Sequence, residues 1–557
     1  MDKIWLKSYP PYVPATIDPS KLRSLKQLIE ETCARHADRV AYIYMGATIT
    51  YGELDTLSRA FGAWLQSQGF RKGDRIAIML PNTPQYPIAM FGALRAGLIV
   101  INTNPLYTAP ELEHQLTDAG ATAIVVLENF AHVMEKVLPH TKLRTVLVTA
   151  VGDYLKFPKS AIVNFVVRRL KKQVQPWHIA SATSFKEAVS AGRSLPLAPV
   201  DLGPDDLAFL QYTGGTTGVA KAAMLSHGNV SANVLQAEVW IGKSLPDHGT
   251  ILTAIPLYHI FALSCNCMVF ARLGWQNLLI INPRDLKSMI ADMQRYPCNF
   301  ISGVNTLFNA MLHAPGFDKI DFSGLKISLG GGMAVQAAVA AKWKEATGNV
   351  LSQAWGLTET SPAACINPPS EAFNGSIGIP IPSTEIAIKD DAGNDLPLGQ
   401  IGEICVRGPQ VMRGYWNRPD ETAKVMLPDG YLRTGDVGHM DERGFVFIED
   451  RKKDMILVSG FNVYPNEVEA VAAANPGILE AAAVAQPDEH SGEVVALFVV
   501  AKDPALTERA VIEYMRQSLA GYKVPKHVYF KKDLPKSNVG KILRKTLREE
   551  VGQKLPL

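Results

Sequence analysis

The stretch Tyr212-Thr-Gly-Gly-Thr-Thr-Gly-Val-Ala-Lys221 places three glycines and three threonines in six consecutive positions, with a lysine shortly after them. Backbone N–H groups of such a loop can approach an anion closely, and the hydroxyls and the lysine ammonium add donors and charge. The loop therefore suits a triphosphate. Its spacing differs from G-x-x-x-x-G-K-[ST], which argues against a P-loop nucleoside triphosphatase. A glycine-rich structural turn is the alternative, although a turn requires neither the threonines nor the lysine.

On both sides of this loop, short β-rich runs alternate with helical patterns. Arg75-Ile-Ala-Ile-Met-Leu80 and Leu98-Ile-Val-Ile-Asn102 predict buried strands, and residues 85–97 between them predict a helix. The same rhythm resumes after residue 205. Strand, helix and strand in this order favour parallel sheets covered by helices, so we expect two α/β subdomains.

The pattern of predicted elements changes near residue 375. Short strands there are broken by Gly, Pro and Asp-Gly, as in Gly402-Glu-Ile-Cys-Val-Arg407, and predict an antiparallel β unit. The charged stretch Glu449-Asp-Arg-Lys-Lys-Asp454 then interrupts the apolar pattern and is typical of a linker. We therefore predict an α/β protein with a large N-terminal domain, residues 1–449, and a small α+β domain, residues 450–557.

Composition narrows the class of protein. The 557 residues carry 56 Lys and Arg against 53 Asp and Glu, a net charge of +3, which gives no argument for a nucleic-acid partner. Six cysteines without a C-x-x-C pair argue against a disulfide scaffold or a structural zinc site. The N-terminal residues lack the hydrophobic region of a signal peptide, and no window approaches about 18 uninterrupted apolar residues. We expect a cytoplasmic protein without a membrane-spanning helix.

One segment is unusually basic. Residues 155–186 contain seven Lys or Arg and no Asp or Glu, and residues 161–172 set apolar side chains beside four cations. Two interpretations remain open: a solvated helix packed on the core, or a peripheral contact with an anionic membrane surface, which would be the inner face of the cell membrane.

Further motifs follow the glycine-rich loop, and together they resemble the adenylate-forming enzymes, which include acyl-CoA synthetases, peptide-synthetase adenylation domains and luciferases. The loop itself resembles the signature of this superfamily, and six later stretches match its other motifs in order. They are Pro256-Leu-Tyr-His-Ile260, Gly330-Gly-Gly-Met333, Trp355-Gly-Leu-Thr-Glu359, Tyr431-Leu-Arg-Thr-Gly-Asp436, Asp450-Arg-Lys-Lys-Asp454 and Pro535-Lys-Ser-Asn-Val-Gly-Lys541. The first 200 residues resemble the superfamily only in the overall pattern of predicted strands and helices.

The resemblance implies a site for ATP, Mg²⁺ and a carboxylic acid, with three catalytic residues: Lys541, Thr358 and His259. Lys541 would neutralise charge where the carboxylate attacks the α-phosphate, Thr358 would contact that phosphate, and His259 would orient groups at the acyl pocket. Glu359 and Thr213 are the expected metal ligands. The expected ATP-binding residues are Thr213, Gly214, Gly215, Thr216, Thr217, Gly218, Lys221, Gly331, Gly332, Trp355, Gly356, Thr358, Asp436, Arg451 and Lys541.

Trp355 departs from the more common tyrosine of its motif, although an indole can also cover an adenine. Alone, His259 would be read as a core histidine, and Lys541 as one cation of a basic tail. The match to the superfamily motifs favours the functional interpretation of both residues.

The resemblance also implies that the reaction has two halves. The attack on the α-phosphate gives an acyl-adenylate, and a thiol then attacks this intermediate. The second half-reaction would need a mobile C-terminal domain that rotates about Asp450. The segment with Ser459, Gly460 and Phe461 would then approach the site, where a glycine lets a pantetheine chain pass close to the backbone. This arrangement favours ligation to coenzyme A over a luciferase-type reaction.

The whole chain resembles bacterial long-chain fatty acid–CoA ligases. Apolar residues predicted to line an alkyl tunnel are Phe261, Leu263, Val304, Leu307 and Met333, with ordinary core positions as the alternative. The small residues Ala262, Gly303 and Ala334 predict an open tunnel beside the carboxylate. A medium-chain or aryl-acid CoA ligase is the alternative enzyme, and a non-catalytic acyl- or ATP-binding protein is the alternative of another class. The sequence leaves the oligomeric state open.

Overall fold

The computed structural model describes residues 3–213, 220–488 and 490–552. These residues form two large sheets flanked by helices, a four-stranded antiparallel sheet and a five-stranded C-terminal sheet. This architecture confirms the predicted α/β class, with its β-rich unit and a small α+β region at the C-terminus. Among the described helices, none has the length and apolar character needed to cross a bilayer.

The first large sheet has seven strands, parallel except for its last pair. Their spatial order is Ala182–Ser184, Thr145–Thr149, Ala123–Leu127, Arg75–Met79, Ile99–Asn102, Leu207–Thr213 and Lys221–Ser226. The last two strands are antiparallel and set Thr213 opposite Lys221. Helices packed on and around this sheet are Leu25–Arg35, Tyr51–Ser67, Gln85–Arg95, Ala109–Ala119, Ala131–Val137, Lys159–Phe165 and Phe185–Gly192. The glycine-rich loop thus connects the last two strands of this order, at one edge of the sheet.

The second large sheet has nine strands. Their order is Ile379–Pro380, Ala363–Ile366, Leu351–Gly356, Ile327–Gly331, Phe300–Gly303, Thr250–Thr253, Gln276–Leu279, Val40–Tyr44 and Ala47–Thr50. Its principal helices are His227–Ile241, Leu286–Arg295, Asn305–Leu312 and Ala337–Thr347, together with a helical stretch from Ile260 to Arg272 that contains a π-helical segment, Leu263–Val269. The strand from residue 40 therefore pairs with residues more than 200 positions away, Tyr42 beside Asn277.

The antiparallel unit consists of the strands Glu385–Lys389, Gly402–Arg407, Leu432–Met440 and Val446–Arg451, with the helix Pro419–Val425 beside them. The last two strands place Asp436 opposite Arg451. The charged stretch predicted as a linker therefore begins as the end of a strand and leads directly into the C-terminal unit.

The C-terminal unit is built on the strands Phe461–Val463, Ile456–Val458, Gly492–Ala501, Ile478–Asp488 and His527–Phe530. Its helices are Pro465–Ala473, Glu508–Met515 and Arg544–Gly552. Val468, Leu497 and Val511 are buried in an apolar cluster formed entirely by residues of this unit. The unit thus has a core of its own, as an independently moving domain requires.

Candidate active site

A cavity of about 1180 Å³ lies between the large sheets, the antiparallel unit and the C-terminal segment 536–548. Residues from motifs that are far apart in the sequence line it. They are Thr213, Lys221, His259, Phe261, Gly331, Gly332, Met333, Trp355, Gly356, Thr358, Glu359, Asp436, Asp450, Arg451 and Lys541. The fold therefore brings the motif residues into one site. Gly214, Gly215, Thr216, Thr217 and Gly218 lie outside the described residues.

Lys541 reaches the centre of this cavity from the C-terminal unit. It passes over Gly332, whose backbone is left-handed (φ +79°), and a Cβ built at that position would be 3.1 Å from Lys541 Cε and 3.5 Å from its Nζ. Burial and the nearby Arg451 guanidinium lower the pKa of Lys541 to about 8, although Asp436 and Glu359 oppose that shift. Among the described residues, none forms an ion pair with Lys541, and a desolvated ammonium of this kind is well suited to an anionic ligand.

Asp436 is a buried carboxylate of the site, with 4% of its surface exposed. Its Oδ2 accepts a hydrogen bond from Trp355 Nε1 at 2.9 Å, and Arg451 Nε lies 3.4 Å from Oδ1. The indole predicted to cover an adenine thus also orients this carboxylate, which the sequence pattern did not indicate.

Glu359 follows Thr358 in a short 3₁₀ turn, Thr358–Thr360, directly after the strand Leu351–Gly356. The Tyr415 hydroxyl donates a hydrogen bond to Glu359 Oε1, with 2.8 Å between the two oxygens. Burial and the Glu359 carboxylate raise the pKa of Tyr415. Sequence reasoning missed Tyr415, and nothing in its local pattern singles it out.

Lys221 is held by two neighbours at the edge of the cavity. Its Nζ lies 2.6 Å from Glu421 Oε2 and 4.9 Å from the ring centre of Tyr415. Glu421 is a second residue that the sequence did not indicate. The ion pair holds the Lys221 ammonium at the edge of the cavity.

His259 precedes the helical stretch that begins at Ile260. Its Nδ1 accepts a hydrogen bond from the backbone N–H of Phe261 at 3.3 Å, so the proton of the neutral ring is on Nε2. Burial and the Lys541 ammonium lower the pKa of His259 to about 3. At neutral pH the imidazole is therefore uncharged, which suits an orienting role.

The residues predicted for the acyl tunnel separate into two groups. Phe261 and Met333 line the cavity, whereas Leu263 is fully buried in the core and Leu307 packs on the apolar cluster beneath the sheet. Val304 is 4% exposed and lies beside Gly540. Leu263 follows Phe261 by two positions and so points elsewhere on the helix.

A different apolar wall belongs to the cavity. It is formed by the helix His227–Ile241, the π-helical segment and the strand Ala363–Ile366. Its members are Ala237, Ile241, Cys265, Val269, Ala363 and Ile366. Helical spacing could have suggested Ala237 and Ile241, which are four residues apart on one face.

Two of the small residues predicted to open the tunnel occupy core positions instead. Ala262 is fully buried, and a Cβ at Gly303 would be 2.9 Å from a ring carbon of Phe308. Ala334 does line the cavity. The space beside Gly303 is therefore already filled by an aromatic ring.

Asp450 is almost completely buried, with 1% exposed. Its carboxylate accepts hydrogen bonds from the Asn466 N–H at 2.8 Å and from Arg544 Nη1 at 3.2 Å, both in the C-terminal unit. Burial raises its pKa, and the Arg544 guanidinium opposes that shift. The side chain of the predicted hinge residue is thus attached to the unit that would rotate.

The residues predicted for coenzyme A lie at a turn between two C-terminal strands. Ser459 and Gly460 both have left-handed backbones (φ +51° and +84°), and Phe461 is 57% exposed and stacks on Tyr522. In this arrangement the turn is on the surface, and the cavity is occupied by the Lys541 segment instead.

Comparison with known proteins agrees with this site. Residues 29–416 match the AMP-binding enzyme profile, and residues 467–541 match the profile of the AMP-binding enzyme C-terminal domain. The chain belongs to the family of AMP-binding enzymes.

Within the family, the chain is 52% identical to the long-chain-fatty-acid–CoA ligase of Escherichia coli O6:H1, over 100% of this chain and 99% of that protein. It is 38% identical to the long-chain-fatty-acid–CoA ligase of Bacillus subtilis, over 98% of each. The crystal structure of the anthranilate CoA ligase AuaEII with anthranoyl-AMP has the same fold, with a TM-score of 0.85 and 23% identity over 96% of this chain and 99% of that one. These findings confirm the resemblance stated from the motifs.

Proposed function

We propose that this protein is an AMP-forming long-chain fatty acid–CoA ligase. It activates a fatty acid with ATP, giving an acyl-adenylate and pyrophosphate, and then transfers the acyl group to the thiol of coenzyme A, releasing AMP. The proposal rests on the observation that one cavity is lined by Lys541, Thr358, Glu359 and Asp436. The chain that forms this cavity also aligns over its full length with a long-chain ligase.

In the first half-reaction a carboxylate must approach a triphosphate, so the site has to offset the repulsion of two anions. We assign Lys541 to the oxygens of the carboxylate and the α-phosphate, with Thr358 as a further donor. Thr213, Lys221 and the loop residues 214–218 would hold the outer phosphates. The neutral His259 would orient the acid.

The nucleoside would be held by the other side of the cavity. Asp436 can accept hydrogen bonds from two vicinal ribose hydroxyls, and Arg451 and Trp355 fix that carboxylate in place. Gly331, Gly332, Trp355 and Gly356 would border the adenine.

The residues present fit a magnesium ion bound together with ATP. Within the described ranges, no group of three His, Cys, Asp or Glu side chains could enclose a metal. Mg²⁺ commonly takes one or two carboxylates plus substrate phosphates, and Glu359, with Thr213, matches that requirement. When bound, the ion would neutralise phosphate charge.

For the second half-reaction we propose that the C-terminal domain, residues 450–557, rotates about Asp450 relative to residues 1–449. The rotation would withdraw Lys541 and bring the turn with Ser459, Gly460 and Phe461 to the cavity, where coenzyme A enters. The apolar wall with Ala237 and Val269 would receive the alkyl chain, because each buried CH₂ contributes about 0.8 kcal/mol.

The test is AMP release that depends on both ATP and coenzyme A, measured with acids from C2 to C18 and with aromatic acids. The highest kcat/KM is expected with long chains. A preference for benzoate-type or medium-chain acids would instead support the alternative ligases, and binding of ATP without AMP release would support a non-catalytic protein.

The ionisation of Lys541 gives a pH prediction. Only the ammonium can offset anionic charge, so above pH 8 the free enzyme should lose the active form. We expect kcat/KM for ATP–pyrophosphate exchange to fall about tenfold per pH unit there. Lys541→Arg, whose charge persists, should be slower but show no such fall. A wild-type profile that is flat to pH 10 would contradict the assignment.

We also propose a peripheral membrane contact through the segment 156–172. Its helix Lys159–Phe165 and the π-helical segment Val166–Leu170 that follows leave large apolar side chains in solvent. Phe157 is 85% exposed, Leu170 67% and Ile162 57%. The neighbouring cations Arg169, Lys171 and Lys172 are exposed as well. Apolar side chains beside cations fit an anionic bilayer surface, where each cation contributes about 1 kcal/mol.

Replacing Arg169, Lys171 and Lys172 with Gln should weaken salt-sensitive binding to phosphatidylserine vesicles by about a hundredfold, without changing turnover of octanoate. Arg168 is left intact because it pairs with the buried Glu128 at 2.8 Å. The same replacement at the exposed Lys319, Lys342 and Lys344 removes equal charge elsewhere and serves as the control. Equal vesicle binding by both variants would refute the assignment.

A further inference from the structure

The helix Asn305–Leu312 contacts the C-terminal unit through two polar side chains. Thr306 Oγ1 donates a hydrogen bond to the Gly540 carbonyl at 2.8 Å, and Asn309 Nδ2 donates one to the Leu479 carbonyl at 3.2 Å. The two residues are three positions apart and therefore share a face of the helix. Both donors belong to the large domain, and both acceptors are backbone atoms of the C-terminal unit.

The Gly540 carbonyl is one bond from the backbone nitrogen of Lys541. The turn that carries this lysine is closed on itself, because Ser537 N–H donates to the Lys541 carbonyl at 2.7 Å and Gly540 N–H donates to the Ser537 carbonyl at 2.9 Å. Ser537 Oγ also accepts from Lys541 N–H at 3.1 Å. A contact that holds Gly540 therefore holds the whole turn.

The approach of this turn to the helix is close. Gly540 has a left-handed backbone (φ +83°), and a Cβ built there would be 3.0 Å from Thr306 Oγ1 and 3.1 Å from Val304 Cγ2. On its other side, the Lys541 side chain runs over Gly332. The turn that carries Lys541 thus packs against the start of the Asn305–Leu312 helix, and the lysine side chain packs against Gly332.

We propose that Thr306 is a positioning residue for adenylation, which holds the Lys541 turn at the reacting groups and favours the domain orientation of the first half-reaction. The inference rests on the proposed function. Because the lysine must leave the cavity before the thiol attacks, the Thr306–Gly540 hydrogen bond exists in one orientation only. Asn309 supports the same orientation through Leu479.

The test compares the two half-reactions in Thr306→Val, which keeps the shape of the side chain and removes the hydroxyl. Pyrophosphate release from ATP and palmitate should slow about tenfold, as expected for the loss of one hydrogen bond in the productive state. Thioester formation from supplied palmitoyl-adenylate and coenzyme A should be unchanged or faster. Thr306→Ser, which restores the donor, should recover pyrophosphate release.

Asn309→Ala should show the same split with a smaller effect, and Thr306→Ala repeats the test without a β-branched side chain. Equal loss of both half-reactions in the Val and Ala variants would mean that Thr306 only stabilises the fold, and an unchanged pyrophosphate release would also overturn the proposal. If the wild-type protein forms no acyl-CoA, the proposed function itself fails, so the two failures are distinguishable.

Discussion

Lys541→Ala is expected to slow acyl-adenylate formation by about a hundredfold to a thousandfold, while thioester formation from supplied acyl-adenylate survives. The ammonium lies over Gly332 in the cavity and would act where charge develops between carboxylate and α-phosphate. Removing one such preorganised group commonly costs 10²- to 10³-fold. The second half-reaction needs the lysine withdrawn, so its loss should matter little there.

The measurement is single-turnover pyrophosphate release for the first step and acyl-CoA formation from palmitoyl-adenylate for the second. Lys532→Ala is the control, because Lys532 is an exposed lysine of the same basic tail. Should both steps of the Lys541 variant fall by the same factor, the role assigned to this lysine in adenylation would be wrong.

Ala237→Trp is expected to abolish turnover of palmitate and to spare hexanoate. Ala237 is half-buried in the apolar wall, on the helix face that also presents Ile241. An indole there should shorten the space for the chain. Ten additional methylenes are worth up to about 8 kcal/mol of binding, so a shortened pocket should remove most of the preference for long acids.

Gly303→Trp is the informative comparison for this variant. A side chain at that position would meet the ring of Phe308, so we expect damage to the core and similar losses with palmitate and hexanoate. The readout is kcat/KM for acids from C6 to C16, with the thermal midpoint of each variant. If Ala237→Trp also loses both acids equally at an unchanged midpoint, the alkyl chain runs elsewhere.

The sequence alone determined the fold class and the positions of Lys541, Asp436 and Glu359. Short continuous apolar runs predicted strands at Arg75–Met79 and Ile99–Asn102 to within one residue, because a strand buried on both faces is apolar throughout. The ordered motifs predicted residues that line one cavity, because each motif is a short contiguous stretch that can be recognised without knowing its neighbours.

Contacts between distant residues were decided by the tertiary structure. The strand Val40–Tyr44 precedes the strands of the first sheet in the sequence, yet it pairs with the second sheet, at Asn277. The apolar sequence of a strand indicates that the strand is buried, but it does not indicate which other strand it pairs with.

The same limit applies within the site. The sequence indicated neither the Tyr415–Glu359 hydrogen bond, across 56 positions, nor the Thr306–Gly540 hydrogen bond, across 234. Both depend on where whole elements pack, and a single polar side chain carries no local signal of a partner. Packing also explains why Ala237 lines the cavity and Leu263 does not: both side chains are apolar, and only the tertiary structure decides which of them faces the cavity.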